Sequence, residues 1–374
     1  MTFFLTLLIF IFIIGFLIFS HELGHFIAAK SAGLLVEEFA LGFPPNIFSK
    51  KIGETKYSIN LIPFGGYVKI YGEDPDEDST KNERSFYCQK PIVKAKVLIA
   101  GVFANILVAA FIFYIVLSFS GFKWNVFLPF DYNFIFGKQS QVPLIVTVLE
   151  NSPAEESGLK EGEMVLSVNG LSVSTREDFV KYVNIDKEKV VLALRDVRSK
   201  EEREVEIIPK EEDGTYFIGV LLSNVTEIKY ESFNKVFSGF LHAVNMTHLS
   251  FYSLAKLTYT SIGEKTVEPF RDSTAGVVGI FAITHIVMKE GIIELLNMAA
   301  LISIGLAVVN ILPIPALDGG RLVFVIYEAV SRRKTSPNFE RNLNLAGFAF
   351  LILLIITITY NDIIRFGGLI KGMF

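Results

Sequence analysis

Residues 3–29 read FFLTLLIFIFIIGFLIFSHELGHFIAA. From Phe3 to Phe19 the run is apolar apart from Thr6 and Gly15, and about 20 such residues suffice to cross a bilayer as a helix. It lacks a positive leading region, and no small-residue cleavage site precedes His21, so it reads as a retained transmembrane helix rather than a signal peptide. Three ionisable residues, His21, Glu22 and His25, then follow at membrane depth. Charged groups there cost at least about 2.5 kcal/mol each on insertion scales, and burial at that cost points to function. Positions i and i+4 share one helix face, so His21 and His25 can present two imidazoles to one ion. Zinc accepts such ligands in a tetrahedral shell and, in catalytic sites, keeps one position for water. Glu22, beside the first ligand, is placed to take a proton from that water.

Outward from this stretch, three more apolar blocks stand at 97–119, 295–314 and 343–360, with the charges between them. Hydrophobic residues make up 51% of the 374, with 35 Phe, and the mean hydropathy is +0.46. The distribution predicts a polytopic α-helical membrane protein of about four transmembrane helices, with the lipid bilayer as its first partner. Residues 143–222 differ in kind: charges are frequent and the apolar pattern alternates in LIVTV (144–148) and VVLALR (190–195), which predicts an inserted soluble α+β domain. The segment KYSINLIPFGGYVKIY (56–71) predicts two strands, with Pro63, Phe64, Gly65 and Gly66 as the turn of a hairpin. Residues 230–261 predict an amphipathic helix on the membrane surface, and the acidic run 73–78 a solvated loop. The net charge of −4 and the absence of a basic patch argue against nucleic acid as a partner. The single cysteine, Cys88, excludes an intrachain disulfide. Lysines at 50, 51, 94 and 96, with Arg332, Arg333 and Lys334, place both connections on the cytoplasmic side by the positive-inside rule, and the soluble domain and both termini on the other.

A zinc site needs a third ligand. His242, His248 and His285 lack metal-ligand spacing and read as surface or packing residues. Asp318, in NILPIPALDGG (310–320), closes an apolar run broken by two prolines, and broken helices are where membrane proteins line ion sites. Taken alone, the residue is better explained as an Asp-Gly turn at the membrane edge or as the N-cap of the next helix. Charge favours the ligand reading: one Zn²⁺, two neutral imidazoles, Asp318 and ionised Glu22 sum to zero, and a neutral cluster is cheaper to bury.

HELGH (21–25) and NILPIPALDGG (310–320) resemble the paired motifs of the site-2 protease family, in its bacterial branch with a PDZ domain. The resemblance implies an intramembrane zinc metalloprotease with one Zn²⁺ per chain on His21, His25 and Asp318, and with Glu22 catalytic. IPFGGYVKIYGE (62–73) resembles that family's membrane-associated β-hairpin, which implies substrate contacts at Gly65 and Gly66. GVFAN (101–105) resembles its second span with Val102 where a proline is usual, and STAGVVGI (273–280) a short stretch before the third. A substrate-binding role is implied for Asn310 and Asn105. The glycines of 158, 162 and 170, with SPA (152–154), VNG (168–170) and IGV (218–220), resemble a single PDZ domain, which implies a peptide ligand or a size filter.

These readings give four regions: 1–125, a membrane region with the HExxH helix, hairpin and second span; 138–225, the PDZ domain; 226–292, an amphipathic connection; and 293–374, a membrane region with the Asp318 motif and last span. The expected partners are a transmembrane protein or peptide substrate, such as an anti-sigma factor or a signal-peptide remnant. The expected location is the bacterial inner membrane. The alternative is a membrane-tethered PDZ scaffold or chaperone with a non-catalytic metal site, which the presence of all four motif residues disfavours.

Overall fold

The computed structural model describes residues 2–73, 80, 82–128, 130, 132–185, 188–197, 201–212 and 215–372. The acidic run expected to be a loop falls almost wholly outside them. The chain divides into one unit of residues 1–116 with 239–374 and another of 117–238.

The first unit opens with helix α1 (Thr2–Ser31), then strands β1 (Val36–Ile52) and β2 (Thr55–Ile70), then helix α2 (Pro91–Phe119). Both helices are apolar all round, as a membrane segment allows. The strands correct the expected hairpin. Its tight turn lies at Gly53 and Glu54, where Gly53 takes φ 62°, and residues 63–66 lie within β2. Phe39 of β1 partners both Tyr57 and Val68, and Tyr57 also partners Lys50. The ribbon therefore orders itself 46–52, 55–62, 36–43, 66–70, and the two segments expected to pair with each other flank β1 instead. The alternation in 56–71 identified strands but carried no information on partners, because β1 (VEEFALGFPPNIFSKKI) hides its own strand pattern behind two prolines. Beneath this sheet Ala29, Leu34, Val36, Val68, Ile70, Phe86, Val97, Leu98 and Val325 form one buried cluster. It ties the end of α1 to both strands and to α2.

The second unit contains β3 (Lys123–Phe127), β4 (Lys138–Val148), α3 (Pro153–Glu156), β5 (Glu163–Val168), β6 (Leu171–Ser172), α4 (Arg176–Val183), β7 (Val190–Asp196), β8 (Glu202–Ile207), β9 (Lys210–Glu212), β10 (Thr215–Phe217) and β11 (Val220–Lys229). The main sheet runs β3-β11-β4-β5-β7-β8, with β6 on β5. Val190, Leu192 and Leu194 alternate inward from β7 onto Ile145, Val165, Val168 and Ile207, which is the period-2 signal of a half-buried strand. Asn169 and Gly170 take φ 50° and 77°, the positive values that a two-residue hairpin loop between β5 and β6 demands. Thr175 and Asp178 close a capping box on α4, which satisfies two of its free amides. Strand β11 runs on through Lys229 with partners on both edges, so the connection expected from residue 226 begins as sheet.

The first unit resumes with α5 (Ser238–Glu264), α6 (Glu268–Ser273), α7 (Val277–Glu290), α8 (Ile292–Ile311), α9 (Asp318–Ser331) and α10 (Pro337–Lys371). Helix α5 starts at Ser238, not Tyr230, and is seated closely on α2: a β-carbon at Gly239 would lie 2.2 Å from the carbonyl oxygen of Ala110. His242 is wholly buried with its ring edge-on to Phe113 at 4.7 Å. Thr6 and His285 join α1 to α7 at 3.0 Å, and the Phe10–Phe281 contact extends that seam. Among the described residues four helices, α1, α2, α8 and α10, are long and apolar enough to cross a membrane.

Candidate zinc centre

The site forms where α1, α2 and the α8–α9 turn meet. A β-carbon at Gly24 would lie 2.4 Å from the Ala100 carbonyl oxygen, and one at Gly101 would lie 2.3 Å from His25 Nε2. Glycine at both positions lets the two helices approach until the imidazoles lie against the α2 backbone. His21 and His25 are buried, with ring centroids 4.7 Å apart and their Nε2 atoms 3.1 Å apart.

Helix α8 stops at Ile311 because Pro313 and Pro315 cannot continue its hydrogen-bond ladder. The chain turns back so tightly that β-carbons at Gly319 and Gly320 would each lie 2.2 Å from carbonyl oxygens of the turn, those of Ile311 and Ile314 among them. Ala316 takes φ 74°, a left-handed conformation that costs a non-glycine residue about 1–3 kcal/mol. Asn344 of α10 accepts the Ala316 N–H at 3.2 Å. Two residues later Asp318 opens α9 and aims Oδ2 at the imidazoles, 3.0 Å from His21 Nε2 and 3.2 Å from His25 Nε2.

These three donor atoms come from parts of the chain nearly 300 residues apart and form the one potential metal cluster among the described residues. Their spacing fits an ion. In a tetrahedral zinc shell with bonds of about 2.0–2.1 Å, neighbouring ligand atoms lie about 3.3 Å apart. The Nδ1 of His25 faces the Val97 carbonyl oxygen at 2.8 Å, so Nδ1 carries the proton and Nε2 offers a lone pair, the usual arrangement of a ligating histidine. Asp318 Oδ2 is buried and accepts no hydrogen bond, although both imidazoles are within ion-pair distance. Lone pairs facing a carboxylate explain both facts, and a shared cation removes the repulsion.

Glu22 sits between two cavities. One, of about 290 Å³, is lined by His21, His25, Asp318, Tyr67, Glu73 and Arg321, among others. The other, of about 220 Å³, adds Ile18, Leu306, Asn105 and Asn310. Gly66 passes directly over the catalytic glutamate candidate: a β-carbon there would meet Glu22 Cγ at 3.1 Å. Gly65, at φ 150°, is instead packed against the Phe43 ring. Asn310 Nδ2 lies 3.4 Å from His21 Nε2. Asn105 is fully buried with Nδ2 3.5 Å from His21 Nδ1. Burial and the neighbouring Glu38 push the Tyr67 phenol above its ordinary pKa, leaving it a neutral donor. Tyr67 and Arg321 were not singled out from sequence. Arg321 had a readable signal, standing three residues after Asp318 and so on its helix face; it pairs with Glu73 across the first cavity.

The model of peptidase family M50 matches residues 9–354. The chain belongs to this family. The regulator of sigma-W protease RasP of Bacillus subtilis is 30% identical over 445 aligned residues, covering 96% of this chain and 98% of that protein. The zinc metalloprotease RasP of Bacillus licheniformis is 31% identical, covering 96% and 99%. Among solved structures, the PDZ domain of an SdrC-like protein from Listeria innocua covers 22% of this chain and 92% of its own length, with 22% identity and a TM-score of 0.20. This M50 protein is an intramembrane zinc metalloprotease of the site-2 type, integral to the membrane and acting on membrane-protein substrates.

Proposed function

We propose that His21, His25 and Asp318 hold the zinc and that Glu22 is the general acid/base. The observation that carries this is the convergence of two imidazole nitrogens and one carboxylate oxygen at 3.0–3.2 Å beside Glu22. A zinc ion held there would supply Lewis-acid polarisation of the scissile carbonyl and would lower the pKa of its water toward about 7. Glu22 takes the proton of the attacking water and returns it to the leaving nitrogen. Asn310, on the same cavity wall, donates its amide to the carbonyl oxygen as negative charge develops there.

A substrate helix must unwind before its carbonyls are accessible. The outermost ribbon segment, residues 66–70, lines the catalytic cavity through Tyr67, Val68 and Ile70, and an edge segment can hold an extended peptide by strand addition. Gly66 lets that peptide come close to Glu22. The positive charges at 30–96 and 332–334 support a cytoplasmic position for the sheet, with the unit of 117–238, read as a PDZ-type domain, on the other face of the bacterial inner membrane. There it would bind a peptide end or turn away substrates with bulky extramembrane parts. The name of the Bacillus subtilis relative supports a membrane-bound regulator of transcription, such as an anti-sigma factor, as substrate. A leftover signal peptide is of the same chemical class.

Glu22→Gln is expected to keep zinc and lose cleavage of a model transmembrane substrate, whereas Asp318→Ala loses both. Metal analysis beside the cleavage assay reads the difference, and cleavage by Glu22→Gln would defeat the mechanism.

A further inference from the structure

Helix α10 carries a single packed stripe. Between 340 and 358 its less exposed positions are Glu340, Asn344, Gly347, Leu351 and Ile358, spaced three, four or seven apart with exposed residues between, and Asp362 lies one turn further on. The stripe does two separate things. Near its far end, Asp362 accepts the main-chain N–H groups of Gly276 and Gly279 at 2.9 and 2.8 Å. Near its start, Asn344 accepts the N–H of Ala316 at 3.2 Å, and Gly347, one turn on, lies so close that a β-carbon would sit 2.4 Å from the Pro315 carbonyl oxygen. Asn344 and Gly347 thus grip two consecutive residues of the turn that delivers Asp318.

The geometry points to Asn344 as a positioning residue for the zinc ligand Asp318. Ala316 holds a backbone conformation that alanine resists, at φ 74°, and its amide points out of the turn where no helix ladder can satisfy it. The Asn344 carboxamide oxygen satisfies that amide and holds the turn in the left-handed form. Released, Ala316 relaxes toward negative φ, and Asp318, two peptide units away, swings off the imidazole pair. Asn344 never touches the metal or the substrate; it acts through the backbone of the turn. Residues behind the ligands of a metal site commonly set its affinity by 10–100-fold.

This rests on Asp318 being a zinc ligand, and the experiment separates the two ideas. Full-length protein in detergent is titrated with zinc against a fluorescent chelator, and the visible spectrum of the cobalt(II) form is recorded. Asn344→Ala is expected to bind zinc at least about tenfold more weakly and to change the cobalt ligand-field bands. Adding Ala316→Gly should recover most of the loss, because glycine takes positive φ without strain; a role for Asn344 in helix stability alone would not be rescued this way. Asn344→Leu, of similar size but without an acceptor, gives the same reading if the alanine variant does not fold. If Asp318→Ala weakens zinc binding while Asn344→Ala and Asn344→Leu keep wild-type affinity and spectrum, the positioning role is overturned and the ligand stands. If Asp318→Ala itself leaves affinity unchanged, both fall together.

Discussion

Helices α2 and α10 read alike in the sequence, with most apolar windows of hydropathy 2.5 and 2.2, yet 44% of that window is buried inside the protein in α2 and 6% in α10. Helix α2 is packed along its length, with Val97, Leu98, Val102, Ala109, Ile112, Phe113 and Val116 all buried. Among the described residues helix α10 buries only Gly347 and Asp362; the hydrogen bonds of Asn344 and Asp362 are joined by sparse apolar contacts, such as Ile370 against the Phe10–Phe281 cluster. The two halves of the proposed zinc centre inherit this difference. The histidines sit on α1 against α2, fixed by dense side-chain packing. The carboxylate sits on a turn steadied from α10 by a hydrogen bond and a glycine seat. Hydropathy reports whether a helix suits lipid; it says nothing of how much protein it touches, because lipid tails and a leucine-rich interface are equally apolar.

The largest effect expected from this contrast is at Gly101. A side chain there enters the space of His25 Nε2, and two packed helices cannot separate locally to admit it. Gly101→Leu is expected to abolish both zinc content and cleavage. Gly368→Leu on α10 meets nothing within 4 Å and should leave both near wild type. Equal damage from the two substitutions, read by metal analysis and cleavage rate, would erase the distinction between the helices.

A smaller effect is expected at Asp362. The residue is 2% exposed, and its carboxylate serves the free amides at the start of α7, where negative charge is also favoured by the helix dipole. Removing an acceptor of this kind costs about 1.5–3 kcal/mol. Asp362→Ala should therefore lower the thermal midpoint by several degrees and speed hydrogen exchange at Gly276 and Gly279, while Asp362→Asn, which keeps one acceptor oxygen, loses less. Unchanged exchange at those two amides would mean that α10 is held by something else.

Much of this architecture could be read in the sequence. The i, i+4 histidines carry their own geometry, and the proline-broken run, supported by charge neutrality, pointed to Asp318, whose Oδ2 lies 3.0 Å from His21 Nε2 and 3.2 Å from His25 Nε2. The strands of 56–71 were legible from their alternation, but their partners were not: register in this ribbon depends on where β1 bends at its two prolines, and β1 shows no alternation over Pro44 to Lys51. Asn344 was silent for another reason. It lies in a span where polar residues read as ordinary helix-end chemistry, and its importance comes from the positive φ of Ala316, which no local pattern announces.

The same comparison ranks the polar contacts by burial. At the C-terminal end of α1, Glu54 in the hairpin turn receives Arg84 at 2.7 and 2.9 Å and Lys30 at 2.7 Å. These partners, Arg84 foremost, hold its carboxyl at about 2. The depressed value means that the anchor's contribution is complete above the ordinary carboxylate range near 4.5 and is lost only as pH falls through about 2. Yet the cluster is exposed, so water and salt screen most of its energy, unlike the enclosed carboxylate of Asp362. Glu54→Gln should accordingly give the smallest change of all: a slight drop in thermal midpoint at low ionic strength that vanishes in high salt, with cleavage unaltered. A Glu54 carboxyl titrating near 4.5 by NMR would show that the guanidinium does not hold it, and a salt-independent loss of stability would mean that the turn anchors the ribbon by packing rather than by charge.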